Sequence, residues 1–218
     1  ALMMKGRQYN RRFLNKGIVP NITAYQNIEF HPKFKFATTL GSLINIDKKE
    51  LSNIIIEPTS IFHEQQKQLL KQANYLTADY NIIVTNPPYL NNSYMDGILK
   101  QFVEEEYEET KTDLFSCFLS KYINKLSDNG YIGFICPYVW MFLKSYTKLR
   151  EIVLDKTCIE SLIQLEYNAF GPAVVPISTF VLKKIKNDSK MGTYIKLSSF
   201  KGVENQPVKT LEAIKNPS

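Results

Sequence analysis

Asn81-Ile82-Ile83-Val84-Thr85-Asn86-Pro87-Pro88-Tyr89 decides how this 218-residue chain reads. Ile82, Ile83 and Val84 are consecutive and β-branched, the pattern of a strand buried on both faces of a parallel sheet. Pro87 and Pro88 bring no N–H to a ladder, so the strand ends at Asn86. Open α/β sheets bind ligands just outside the carboxyl ends of their strands. An amide, two prolines and a phenol therefore stand where such folds do chemistry.

Downstream, Asn91, Asn92, Ser93 and Gly97 predict a mobile loop, and residues 104–109 form an acidic run read as a solvated face. Thr112 is the predicted N-cap of a helix, with Asp113 at its positive end. Phe115, Phe118, Leu119, Tyr122 and Leu126 give that helix one apolar stripe, and Asn129-Gly130 end it. Residues 131–136 read as a buried strand stopped by Pro137, 140–155 as a helix, and 159–165 and 177–182 as strands. No helix fits between the last two, so they are expected to pair antiparallel. Upstream, Ser60 is the predicted cap of a helix over 61–76, residues 36–43 read as a short strand, and 2–16 as a helix ended by Gly17 and Pro20. The alternation predicts a doubly wound α/β sheet with an antiparallel edge. Neither a GxGxxG nor a GxxxxGK loop occurs.

The chain is 44% hydrophobic and 22% charged, an ordinary globular balance. No apolar run approaches the ~20 residues of a membrane span. Cys117, Cys136 and Cys158 are far apart and form no CxxC, so they read as reduced thiols in a cytoplasmic protein. His31 and His63 have no metal-ligand neighbours at useful spacing, which argues against zinc or a His-based triad. The net charge of +6 is concentrated at the two ends. Such ends suit phosphates, although solvated surface explains the charge equally well.

The turn itself carries the chemistry. The Asn86 side-chain oxygen and the Pro87 carbonyl are both acceptors. Held side by side, they bind the two hydrogens of one NH2 group, return electron density to its lone pair and stabilise positive charge as the nitrogen attacks. Proline stiffness holds the pair in place, and the Tyr89 ring offers a surface for a planar substrate.

Asn86-Pro87-Pro88-Tyr89 resembles the catalytic motif of S-adenosylmethionine-dependent amino-group methyltransferases. The chain is most similar to adenine-N6 DNA methyltransferases, and within them to the PglX-type enzymes of BREX phage defence and the type IIG restriction-modification enzymes. That closer resemblance rests on residues 1–9 and on Thr39-Leu40-Gly41-Ser42-Leu43-Ile44. It implies a Rossmann-like S-adenosylmethionine-dependent methyltransferase fold, with a mostly parallel sheet, an antiparallel edge strand and its N-terminal part missing. Residues 1–185 would be the partial catalytic domain, and 186–218 a linker or the start of a target-recognition domain.

The resemblance also implies roles. Asn86, Pro87, Pro88 and Tyr89 are the expected catalytic residues, with no dedicated general base. Tyr89 and Phe170 would stack on the flipped adenine. Ser42, Leu43, Asn86, Pro88, Asp113 and Phe118 would contact the cofactor, S-adenosylmethionine, and no metal is implied. Double-stranded DNA and other defence-system proteins are the implied partners, with no membrane. A glycine-containing cofactor loop and a ribose-holding acid are expected before Ala1. The 218-residue chain is therefore expected to bind cofactor weakly. The same four-residue motif also serves protein glutamine methyltransferases, and a structured RNA substrate or a non-catalytic DNA- or partner-binding domain are further readings.

Overall fold

The computed structural model describes Gln8, Arg12, Gly17 and residues 21–167, 175–185 and 191–216. The helix expected over 2–16 lies outside the described residues, as does Phe170. Five strands form one sheet: β1 Tyr80–Thr85, β2 Leu126–Pro137, β3 Cys158–Gln164, β4 Ile177–Lys183 and β5 Thr193–Lys196, in the order β1-β2-β4-β3-β5. β1 runs parallel to β2, and β3 parallel to β5. β4 is antiparallel to both β2 and β3.

Four strands thus share one direction and a single strand opposes them. The antiparallel pairing of β3 with β4 is as expected, but the opposing strand is not at the edge. It is inserted between β2 and β3, in the middle of the sheet. Residues 175–176 lead directly into β4, whose seven-residue ladder against β2 ends with Ile177 opposite Pro137. The sheet also continues past residue 185, because β5 extends it beyond β3.

The helices are α1 Ala37–Leu40, α2 Lys48–Ser52, α3 His63–Thr77, α4 Gly97–Glu106, α5 Leu114–Lys125, α6 Thr147–Lys156 and α7 Asn205–Lys215. α1 replaces the strand expected at 36–43. Ala37, Leu40 and Leu43 are all buried, a spacing of three that a helical turn presents on one face and a strand does not. Asn27 Oδ1 accepts from both the Thr38 N–H and its hydroxyl, which ties the first turn down. α3 begins two residues later than expected: Ser60 caps only a local turn, with its hydroxyl accepting from Phe62 N–H. α4 was not anticipated; Asp96 caps it by accepting from Leu99 N–H. The helix expected over 140–155 is two 3-10 turns, Tyr138–Met141 and Lys144–Tyr146, followed by α6.

Two apolar clusters hold the layers together. One gathers Phe34, Leu40, Leu43, Ile44, Leu69, Leu76 and Val103 beneath α3 and α4. The other sets Phe115, Leu119 and Ile123 of α5 and Val153 of α6 against Ile132, Phe134, Phe180 and Leu182 of the sheet. Each fully buried large side chain contributes roughly 1.5–3 kcal/mol of transfer free energy. β1 departs from expectation, because Ile82 is 69% and Val84 80% exposed, and only Ile83 of the triplet packs against the second cluster. The apolar triplet reflects a strand with one covered face, not two. Gly130 sits where β2 passes β1, and a Cβ there would lie 2.8 Å from the Asn81 carbonyl oxygen, so no larger residue fits.

Candidate functional site

β1 delivers Asn86 to the carboxyl edge of the sheet. In register, Thr85 stands opposite Phe134 of β2, so Asn86 emerges beside Ile135. Pro87 is buried, whereas Asn86 and Pro88 are exposed. Tyr89 folds back over the turn. Its hydroxyl donates to Asn86 Oδ1 at 2.6 Å and also lies 3.2 Å from the Ile135 carbonyl oxygen. Two acceptors, one on the turn and one on the neighbouring strand, therefore converge on a single polar hydrogen donor. Partial burial, and to a lesser degree Cys136, push the Tyr89 phenol up to about 12. It stays protonated, and a donor, at neutral pH.

The Tyr89 ring is supported from behind. It meets Phe115 edge-on at 6.4 Å, and Phe115 stacks on Tyr146 at 5.4 Å. Phe115 is fully buried, so its place in the α5 stripe is core packing. Asp113, not Thr112, caps α5. Its carboxylate accepts from Phe115 N–H at 3.2 Å and from Leu90 N–H at 3.1 Å, joining the helix start to the segment after Tyr89. Burial raises the Asp113 pKa, and these backbone N–H bonds oppose that rise. Thr112 instead donates its hydroxyl to the Ser145 carbonyl at 3.2 Å. The segment expected to be a mobile loop is a 3-10 turn, Asn92–Tyr94, capped by Asn91. It is anchored at its start, by an antiparallel bridge from Asn91 to Asp113 and by Asn92 N–H on the Thr112 carbonyl.

The residues expected around a cofactor separate into two groups. Ser42 and Phe118 are partly exposed and meet at Tyr122: the Ser42 hydroxyl is 2.7 Å from the Tyr122 hydroxyl, and the Phe118 and Tyr122 rings are 5.8 Å apart. Leu43 is buried in the core, and Asp113 is buried with its carboxylate accepting from the backbone at the start of α5 and after Tyr89. A groove of about 490 Å3 runs along β1. Tyr25, Ser42, Tyr75, Tyr80, Ile82 and Tyr122 are among its walls, and it reaches Thr85, one residue short of Asn86. Its described walls include Lys121 and Lys125 and no carboxylate.

Several participants carry no sequence signal of their own. The Ile135 acceptor is a backbone carbonyl, present at every residue, and only strand register brings it to Asn86. Tyr146 and Arg150 lay within a stretch read as plain helix. Among the described residues no group of three or more His, Cys, Asp or Glu side chains is placed to hold a metal ion. No described helix is long and apolar enough to cross a membrane.

The fold belongs to a class seen in restriction-modification proteins. It superposes with a TM-score of 0.51 on a chain from a type I restriction-modification system, at 16% identity, covering 73% of this chain and 37% of that one. It superposes at 0.50 on a chain of the DrdV–DNA complex, at 18% identity, covering 68% and 17%. The chain belongs to the Eco57I restriction-modification methylase family, whose profile matches residues 7–170. It is 28% identical to the adenine-specific methyltransferase PglX of Lacticaseibacillus casei, over 100% of this chain and 22% of that protein. It is 27% identical to the adenine-specific methyltransferase BrxX of Escherichia coli O9:H4, over 84% and 20%. The chain thus spans about a fifth of the length of these relatives.

Proposed function

We propose that this protein transfers a methyl group from S-adenosylmethionine to the N6 amino group of adenine in double-stranded DNA, within a phage-defence or restriction-modification system. The observation that carries the reading is the exposed Asn86 at the carboxyl end of β1, whose Oδ1 accepts from the Tyr89 hydroxyl at 2.6 Å; the Pro87 carbonyl is the proposed second acceptor for the amine. Family membership and the adenine-specific relatives support the choice of adenine. An exocyclic amine is a poor nucleophile because its lone pair is delocalised into the ring. An acceptor on its hydrogen favours pyramidal nitrogen and stabilises the cation that forms on attack.

Adenine N6 is paired inside a duplex, so the base must be extruded to reach Asn86. Tyr89 then gives up Asn86 Oδ1 to the incoming amine and offers its ring face, backed by Phe115, for stacking. Phe170, proposed as the second stacking residue, lies outside the described residues. Ser42, Tyr122 and Phe118 fit the adenosyl part of the cofactor, giving a hydroxyl pair beside an aromatic wall. When bound, S-adenosylmethionine supplies an electrophilic methyl. Pro88, exposed two residues after Asn86, is the proposed contact of the turn with the cofactor.

Cells expressing the full-length enzyme are expected to carry N6-methyladenine in a defined sequence context, detectable by modification-sensitive sequencing. Asn86→Ala is expected to lower the methylation rate by about 10²–10³, the usual cost of removing one preorganised polar contact. Undiminished methylation by that variant would sink the assignment. Methyl transfer to glutamine or RNA, with DNA unmodified, would replace it.

A further inference from the structure

We infer that the turn after β2 is a second base-contacting surface, on which Phe142 receives a nucleobase of the DNA beside the extruded adenine while Lys144 meets the backbone. The inference rests on the DNA reading above. Pro137 and Tyr138 directly follow Ile135 and Cys136, so this turn leaves the strand end that the Tyr89 hydroxyl meets, and Phe115 packs on both Tyr89 and Tyr146. Phe142 is 61% exposed, and its one ring neighbour among the described residues is Tyr138, at 6.1 Å and tilted by 48°. Leu143 beside it is also exposed.

An exposed aromatic on a floppy loop would mean little, but this turn is braced. Arg150 Nη1 donates to the Trp140 carbonyl at 2.7 Å and to the Leu143 carbonyl at 2.8 Å, closing the backbone on both sides of Phe142. Its Nη2 donates to the Thr147 hydroxyl at 3.1 Å. Trp140 is buried against Phe180 at 5.3 Å, and Tyr146 stacks on the same Phe115 that supports Tyr89. One aromatic column therefore fixes the turn and the Tyr89 ring relative to each other. A rigid, outward aromatic gives up little entropy on binding, which suits stacking.

Charge selects the occupant. Lys144 is exposed and has no salt-bridge partner among the described residues, whereas the next lysine, Lys148, is paired with Glu151 at 2.8 Å. A flat apolar ring two residues from a free ammonium matches a base and its phosphate.

The test is fluorescence anisotropy of the 218-residue chain with a labelled duplex carrying one unpaired adenine. Phe142→Ala is expected to weaken binding about 10-fold, Phe142→Trp to restore it, and Phe142→Leu not to. Lys144→Gln is expected to flatten the salt dependence by about one phosphate contact. Ile61→Ala, a control at an exposed apolar residue before α3, is expected to change nothing. Unchanged affinity for Phe142→Ala, absence of DNA binding by the wild type, or full rescue by Leu would each overturn the inference; the last would indicate an apolar protein partner. The methylation assay with Asn86→Ala judges the parent reading separately. Asn86-dependent methylation that ignores Phe142 would remove this surface and leave that reading intact.

Discussion

Tyr89 occupies the acceptor that the proposed reaction needs, so its hydroxyl and its ring have separable roles. Tyr89→Phe keeps the ring and the Phe115 contact and frees Asn86 Oδ1. It is expected to lose about 1 kcal/mol of stability from the deleted hydrogen bonds, read by chemical denaturation, and to retain most of the methylation rate. Tyr89→Ala removes the stacking surface as well and is expected to raise KM for DNA. Equal methylation defects in the two variants would show that the hydroxyl, not the ring, matters. Asn86 and Tyr89 were legible in the sequence because the motif is covalently contiguous. The direction of the Tyr89 hydroxyl was not, since its second acceptor is a carbonyl 46 residues away. Lys121 was equally hidden: a lysine in a helix pattern reads as exposed, yet it is buried and donates to the Ile44 carbonyl. Burial, with a lesser push from Lys125, lowers its pKa to about 7. The unfolded chain then holds a proton between about pH 7 and the ordinary lysine value near 10.4 that the folded chain does not, so stability rises with pH across that window. Lys121→Met is expected to flatten the rise, measured as denaturation midpoint against pH.

Helix starts and sheet edges were the elements least readable from sequence. α5 begins one residue later than Thr112 suggested because Asp113 is the cap, and Asp113 also holds the segment after Tyr89. Asp113→Ala is expected to cost about 1–2 kcal/mol by loss of the cap, with a further loss of order around Leu90 visible as faster amide exchange there. Asp113→Asn is expected to recover most of it, because an amide oxygen caps nearly as well. β3 and β4 were found from their apolar runs alone. α1 was missed because Thr38 and Thr39 favour strands locally, while the burial of Ala37, Leu40 and Leu43 that decides the matter is a tertiary property. β1 was located correctly and its burial overestimated, because a β-branched triplet looks the same whether one face or two is covered.

At the scale of the whole molecule, the alternation of strands and helices gave the class of fold, but strand order could not be read. No local pattern says that β4 enters between β2 and β3. Among the described strands β1 lies at the edge of the sheet, and its Ile82 and Val84 side chains are exposed. The 218-residue chain is expected to self-associate with rising concentration, and Val84→Lys to suppress this in light scattering. The described walls of the groove along β1 include two lysines and no acid, and the same chain is expected to bind S-adenosylmethionine weakly. Tight binding in calorimetry would contradict this. The interior place of β4 has a consequence for synthesis. Strands emerge from the ribosome in the order β1, β2, β3, β4, and β3 has no neighbour in the sheet until β4 arrives. Until residue 183 is out, neither β2 nor β3 can complete the ladder it makes with β4 in the folded sheet. At roughly 5–20 residues per second, the 19 residues from the end of β3 to residue 183 take about a second or more, and chaperone binding is expected to be strongest in that interval.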